Sequence, residues 1–125
     1  MMVHLDTHCV LWLYEGARER FSKKAASRIE ESRLSISPAV LLELQYLFEI
    51  EKITVPAQQI FTELKTRIDI DVLTEKFLDV VIIALSEHWT RDPFDRLIAS
   101  HAKLMNAPLL TKDSSVRRHY GDAVW

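Results

Sequence analysis

Short apolar runs alternate with helix-like segments along the whole of this 125-residue chain, and that alternation limits the fold more than any other feature. "MVHL" reads as a strand that ends at Asp6, and "THCVLWLYEG" as a helix stopped by Gly16. Residues 22–32 have a Ser N-cap and amphipathic spacing at Ala25, Ala26 and Ile29. "LSIS" at 34–37 is a second strand, after which Ser37-Pro38 opens a helix running to about Glu51. A further helix is expected from Pro56 to about Arg67, followed by a half-exposed edge strand in "IDIDV" at 68–72. The next helix is expected from Thr74 to about Glu87, with Phe77, Leu78, Val81 and Leu85 on one face. Asp92-Pro93 opens another, "APLLT" at 107–111 is a strand, "SSVRRHY" a short helix and "AVW" a last strand. Strands that alternate with helices imply a parallel sheet covered on both faces. In such sheets ligands bind beyond the carboxyl ends of the strands, where the strand order reverses.

Several function classes drop out early. The length is that of one domain, residues 1–125, large enough for a real core. The longest apolar run, "VVIIAL", is too short to span a membrane, and the N-terminus lacks the basic region of a signal peptide. The lone Cys9 excludes an intramolecular disulfide, fits a reducing cytoplasm and reads as a small buried residue. With only Gly16 and Gly121 there is no phosphate loop and no dinucleotide fingerprint. No Cys/His set has zinc spacing. The net charge of −2 gives no support to a broad electrostatic nucleic-acid surface. Locally, however, six bases stand against three acids between Arg91 and Arg118, which leaves room for bases around an acidic site.

The acids carry the chemistry. Asp6 directly follows one strand and Asp113 closely follows another, so both carboxylates reach one crevice if those strands are neighbours. Helix capping is an equally good account of either residue alone. Glu43 is more telling: its helical neighbours Ala39, Val40, Tyr46 and Leu47 put it on an apolar face. A carboxylate there needs a basic partner or a metal ion, or it keeps its proton. Asp92 before Pro93 is an N-cap, and Asp95 is then the third helical residue, where an acid also favours the helix dipole. Ala99 and Ala102 allow that helix close to its neighbours. Four carboxylates from four segments, Asp6, Glu43, Asp95 and Asp113, would make an oxygen-only set suited to Mg²⁺ or Mn²⁺.

Taken in order, "HLDTHCVLWL", "SISPAVLLEL", "RDPFDRLIASHA", "PLLTKD" and the ending "GDAVW" resemble the PIN-domain proteins of the VapC-type toxin group over nearly the whole chain. The resemblance implies a three-layer α/β/α sandwich around a mainly parallel sheet of about five strands. It also implies an endoribonuclease dependent on one or two Mg²⁺ or Mn²⁺ ions, acting as the toxin of a toxin–antitoxin pair. By motif match the catalytic and metal-binding acids fall on Asp6, Glu43, Asp95 and Asp113. Thr7, Ser37 and Thr111 are the polar residues beside them, and Asp92 is read as a cap that supports the site. Asp6 with Asp95 or Asp113 would hold the principal ion, and Glu43 would help bind a second or orient the attacking water. Hydrolysis of this kind leaves a 5′-phosphate and a 3′-hydroxyl. One departure is Val40, where many relatives carry a second serine. The implied partners are RNA, a cognate antitoxin and a second copy of the chain.

Arg91, Arg96, Lys112 and Arg117 are the candidate RNA contacts, although Arg96 could instead pair with Asp92 one turn away. His8 is near Asp6. His101 lies six residues beyond Asp95, about 240° round the helix, and is expected to point elsewhere. Trp12, Trp89 and Trp125 are expected in the core or at a dimer contact. Rival readings fit less well. An aspartate-nucleophile phosphatase wants an acid two residues after Asp6, where His8 stands, and a phosphoacceptor receiver wants an acidic pair at the first strand end. A metal-dependent DNA nuclease and a non-catalytic module that keeps the fold to bind a partner remain open, the complete acidic quartet arguing against the latter.

Overall fold

The computed structural model describes residues 1–125 and contains five strands: β1 (Met2–Leu5), β2 (Arg33–Ile36), β3 (Asp71–Val72), β4 (Leu109–Leu110) and β5 (Ala123–Val124). Seven helices join them: α1 (Thr7–Glu15), α2 (Lys23–Glu31), α3 (Pro38–Glu49), α4 (Ala57–Ile68), α5 (Phe77–Ala84), α6 (Pro93–Met105) and α7 (Ser114–His119). A 3₁₀ turn, Arg18–Arg20, follows α1. All strand pairs are parallel, in the order β3-β2-β1-β4-β5. The chain therefore builds outward from β1 to β3, then crosses to the other side of β1 for β4. The order reverses between β1 and β4, where His4 pairs with Leu109 and Leu5 with Leu110. A crevice opens beyond the carboxyl ends of strands at such a reversal.

The helix starts are written locally. Ser22 caps α2 and Ser37 caps α3, while Asp6, Asp92 and Asp113 cap α1, α6 and α7, each accepting a backbone N–H with its side chain. Gly16 ends α1 at φ 70°, in the left-handed region that glycine enters without a Cβ penalty. The core gathers Leu5, Ile36, Leu44, Ile60, Leu64 and Leu110, all nearly inaccessible, and Cys9 is buried with them. No helix is long and apolar enough to cross a membrane.

Two segments differ from the sequence expectation. The strand expected over 68–72 is only Asp71–Val72, because α4 runs through Ile68 and Asp69 closes it in a left-handed turn. It is an edge strand, as expected, and its exposed side carries Asp71 paired to Arg33 at 2.8 Å. The helix expected over 74–87 is the shorter α5, and the face that carries Phe77, Leu78 and Leu85 is turned to solvent. Phe77, Leu78 and Leu85 are 69%, 66% and 64% exposed and Ile82 is 55% exposed, whereas Val80 and Ala84 are buried. Small residues let α5 lie close on α6, so the bulky ones are left outside. Periodicity found the helix but could not say which of two apolar faces meets the protein.

Candidate active site

Asp6, Glu43, Asp92, Asp95 and Asp113 line one cavity of about 400 Å³, with Thr7, His8, Trp12 and Lys112 on its walls. Ile98, Ala99, Leu109 and Val116 complete the lining. The cavity stands at the strand reversal because Asp6 leaves β1 directly and Asp113 caps the helix that follows β4. Glu43 arrives from α3, and Asp92 and Asp95 from the first turn of α6, which packs against α3.

Asp6 combines the two roles that the sequence left open. Its Oδ1 accepts the Cys9 N–H at 2.9 Å as the cap of α1, and its Oδ2 accepts the Thr111 hydroxyl. Burial pushes its carboxyl up, while the bonds from Thr111 and Cys9 pull the other way. Thr111 also accepts the Asp113 N–H at 3.0 Å, so one buried threonine fixes Asp6 and the approach of Asp113. Thr7, the first residue of α1 and buried, donates its hydroxyl to Glu43 Oε1. No base pairs with Glu43: burial raises its carboxyl, the Thr7 bond lowers it, and Asp92 and Asp6 raise it further.

Asp95 sits in the most negative surroundings. Its carboxyl is pushed up to about 7, first by burial and then by Asp92, Asp113, Glu43 and Asp6. Asp92 does the capping, its Oδ1 accepting from Phe94 N at 2.8 Å and Asp95 N at 3.1 Å. Asp92→Ala is expected to cost about 1 kcal/mol of stability at pH 5 through the lost cap. The cost should shrink at pH 8, where removal of its charge relieves Asp95. Denaturant titration at the two pH values checks this, and an equal cost at both would deny the coupling.

The carboxylate set is oxygen-only and no base is paired to any member of it, which fits a hard divalent ion. The acids surround the cavity rather than converge: no three His, Cys, Asp or Glu side chains are grouped closely enough to hold a metal as they stand. That spacing suits an ion bound through one or two carboxylates that keeps several waters, the habit of Mg²⁺.

Other expected residues lie elsewhere. Ser37 does not reach the acids; its hydroxyl caps Ala39 N at 3.2 Å and meets His101 Nδ1 at 3.1 Å. The opposite nitrogen of His101 meets Glu75 at 2.8 Å, so this histidine does point away from Asp95. Val40 is core. Arg96 bonds the Thr90 carbonyl at 2.8 Å instead of pairing with Asp92, and Arg91 bonds the His88 carbonyl at 3.2 Å. Neither of these arginines lines the cavity, and nor does Arg117 in the last turn of α7. Only Lys112 of the four expected RNA contacts does. Trp89 and Trp125 pack on the core, but Trp12 also faces the cavity. Its place four residues, about one turn, after His8 on a helix that starts at the site was the available signal.

The family model for the PIN domain matches residues 3–122. No curated protein matches the chain. Among solved structures, VapBC2 from Rickettsia felis, bound to a DNA fragment from its promoter, aligns with TM-score 0.67 at 21% identity, covering 99% of this chain and 96% of that one. VapBC-1 from nontypeable Haemophilus influenzae aligns with TM-score 0.67 at 22% identity, covering 100% and 96%. A toxin–antitoxin complex from Klebsiella pneumoniae aligns with TM-score 0.63 at 15% identity, covering 98% and 96%.

Proposed function

The chain belongs to the PIN domain family, and on that premise we propose that it is a single-domain, divalent-cation-dependent endoribonuclease, the toxin of a toxin–antitoxin pair. One observation carries this reading: five carboxylates line a single cavity at the strand reversal with no base paired to any of them, and Asp95 among them is held up to about 7. Such an arrangement opposes its own ionisation and calls for a cation. The threonine bonds to Asp6 and Glu43 support the same reading, since they orient acids that would otherwise turn apart.

In the proposed mechanism Asp6 with Asp95 or Asp113 would hold Mg²⁺ or Mn²⁺, and Glu43 would orient the attacking water or help hold a second ion. When bound, the cation supplies Lewis acidity and positive charge where the attacked phosphate becomes more negative. Thr7 keeps the Glu43 oxygen turned into the cavity, and Glu43, raised by burial, can accept a proton from water. Thr111 holds Asp6 in place, and Asp92 presents Asp95 from the first turn of α6. Lys112 is the base nearest to an incoming phosphate. The test is incubation of purified protein with mixed RNA, single-stranded DNA and a phosphomonoester, with Mg²⁺ or Mn²⁺ and with chelator. Cleavage of RNA alone, only with the cation, is expected. Turnover confined to DNA or the phosphomonoester would replace the reading with the corresponding hydrolase, and no turnover together with no cellular toxicity would leave a binding module.

The toxin–antitoxin proteins among the structural relatives support a cognate antitoxin as partner, whose basic side chain could enter the acidic cavity and neutralise it. We assign the pair to the cytoplasm, where the reduced, buried Cys9 is at home. The second proposed partner is another copy of the chain, across the exposed Phe77, Leu78 and Ile82 of α5 and Leu85 at its end. Replacing Leu78 and Ile82 together by Asp is expected to convert a dimer into a folded monomer, read by light scattering and circular dichroism. An unchanged mass would remove α5 from the interface.

A further inference from the structure

A polyanionic strand approaching this cavity meets five acids on its walls and, beside His8, a single lysine, Lys112. A bound cation offsets part of that charge; bases at the rim must steer the rest. Arg91 and Arg96 are engaged by backbone carbonyls away from the cavity, so the side on which positive charge reaches the rim has to be found elsewhere.

It lies at Trp12. The indole forms part of the cavity wall and is held edge-on by Phe21 at 5.9 Å and Trp125 at 5.8 Å, ring centroid to ring centroid. Two cations stand over it: the Arg20 guanidinium carbon 5.6 Å and the Lys112 Nζ 6.0 Å from the ring centroid. The chain's ion pairs engage Arg33, Lys65, Arg67, His101 and Lys103; neither Arg20 nor Lys112 has a carboxylate partner. Arg20 ends the 3₁₀ turn after α1, and Lys112 lies between β4 and Asp113, so tertiary packing alone brings them to one ring. An aromatic face restrains a cation without neutralising it, which leaves the N–H donors of both side chains free for oxygen acceptors. His8, 5.9 Å from the same indole, continues this edge towards Asp6.

We propose that Arg20 and Lys112, held over Trp12, form a phosphate seat for the substrate strand, taking a backbone phosphate next to the one cleaved. The inference rests on the nuclease reading and adds the direction of the strand: it crosses the cavity along the α1 and β5 side, over Trp12 and near Trp125. Contact through phosphates makes the seat indifferent to base sequence. It would serve single strands, whose flexible backbone can bend past the acids to reach the two cations.

The test measures binding of a fluorescein-labelled, mixed-sequence single-stranded RNA oligonucleotide by anisotropy, with Mg²⁺ present. All proteins carry Asp95→Asn so that the probe stays intact. Arg20→Gln with Lys112→Gln is compared with the background protein and with Lys65→Gln, a surface base paired to the acids at the β3 edge of the sheet. The double variant is expected to bind about tenfold more weakly, and the slope of log affinity against log salt should become shallower by about 0.7, the share of the one phosphate seated. Lys65→Gln should match the background. Equal affinity and slope for the double variant and the background would overturn the seat. So would unchanged RNA binding accompanied by lost binding of an acidic partner protein, which would assign the two cations to that partner. Cleavage by the protein with Asp95 intact, measured in parallel, reports on the nuclease reading separately.

Discussion

Asp95→Asn is expected to lower cation-dependent RNA cleavage by roughly a thousandfold or more, and at the same time to make the metal-free protein more stable at alkaline pH. The substitution keeps the shape of the side chain and removes one charge from the centre of the acidic cavity. Loss of activity with a gain in stability separates a functional acid from a structural one, since a structural acid would lose both.

The sign follows from where Asp95 titrates. Its folded carboxyl is raised from the ordinary 3.8 to about 7, so the folded chain binds that proton more tightly than the unfolded chain does. The resulting stability is complete below about pH 4 and is lost as pH rises through about 7. Between pH 5 and 8 the affected span is about two units, a ceiling of about 3 kcal/mol. Residual solvation of this half-buried group reduces it to about 1.5 kcal/mol. His4 works in the opposite sense: burial holds it down to about 4, so it contributes stability that is lost as pH falls. Because His4 is common to both proteins, the difference between variant and wild type isolates Asp95. That difference, from denaturant titrations without divalent ions, should grow by about 1.5 kcal/mol from pH 5 to pH 8. Mg²⁺ should stabilise the wild type more than the variant at pH 8. A difference that stays flat with pH, or cleavage that survives the substitution, would remove Asp95 from the site.

The second large effect is expected at His101. His101→Ala should destabilise the fold by about 3 kcal/mol, through a cavity and the lost partners of two polar groups, or roughly 12 °C in Tm for a chain of this size. His101 is almost inaccessible, and its two ring nitrogens join Ser37 at 3.1 Å and Glu75 at 2.8 Å. Ser37 is the cap of α3, which carries Glu43, and His101 belongs to α6, which carries Asp95. The link therefore fixes the two acidic helices against each other as well as the loop that enters α5. His101→Gln, which can keep one of the two bonds, should recover part of the loss. Thermal unfolding followed by circular dichroism decides the matter; a shift below about 3 °C would mean that neighbouring packing alone orders this junction.

Capping positions were legible because their physics is local. Ser37-Pro38 and Asp92-Pro93 start helices wherever they stand in the chain, since the side-chain oxygen and the fixed proline φ act within one turn. Glu43 was legible for another reason: a carboxylate on an apolar helix face signals an unusual surrounding before that surrounding is known. The face of α5 was not legible, because its sequence is apolar on every side and only the neighbour α6 selects the small residues Val80 and Ala84 for burial. The partners of Ser37 and Arg96 were equally out of reach, since each side chain has several acceptors or donors within its span and packing chooses among them.

The sequence by itself determined the alternation of strands and helices, the caps, and a set of acids placed after strands and on an apolar face. Those features depend on residues within a few positions of one another. The tertiary structure decided that β4 pairs with β1, and hence that Asp6 and Asp113, more than a hundred residues apart, share a wall of one cavity. It also decided that Thr111 serves Asp6, that Thr7 serves Glu43, and that Arg20 and Lys112 meet over one indole. Strand order is set by which apolar faces bury best together, a property of the whole chain that no local spacing encodes.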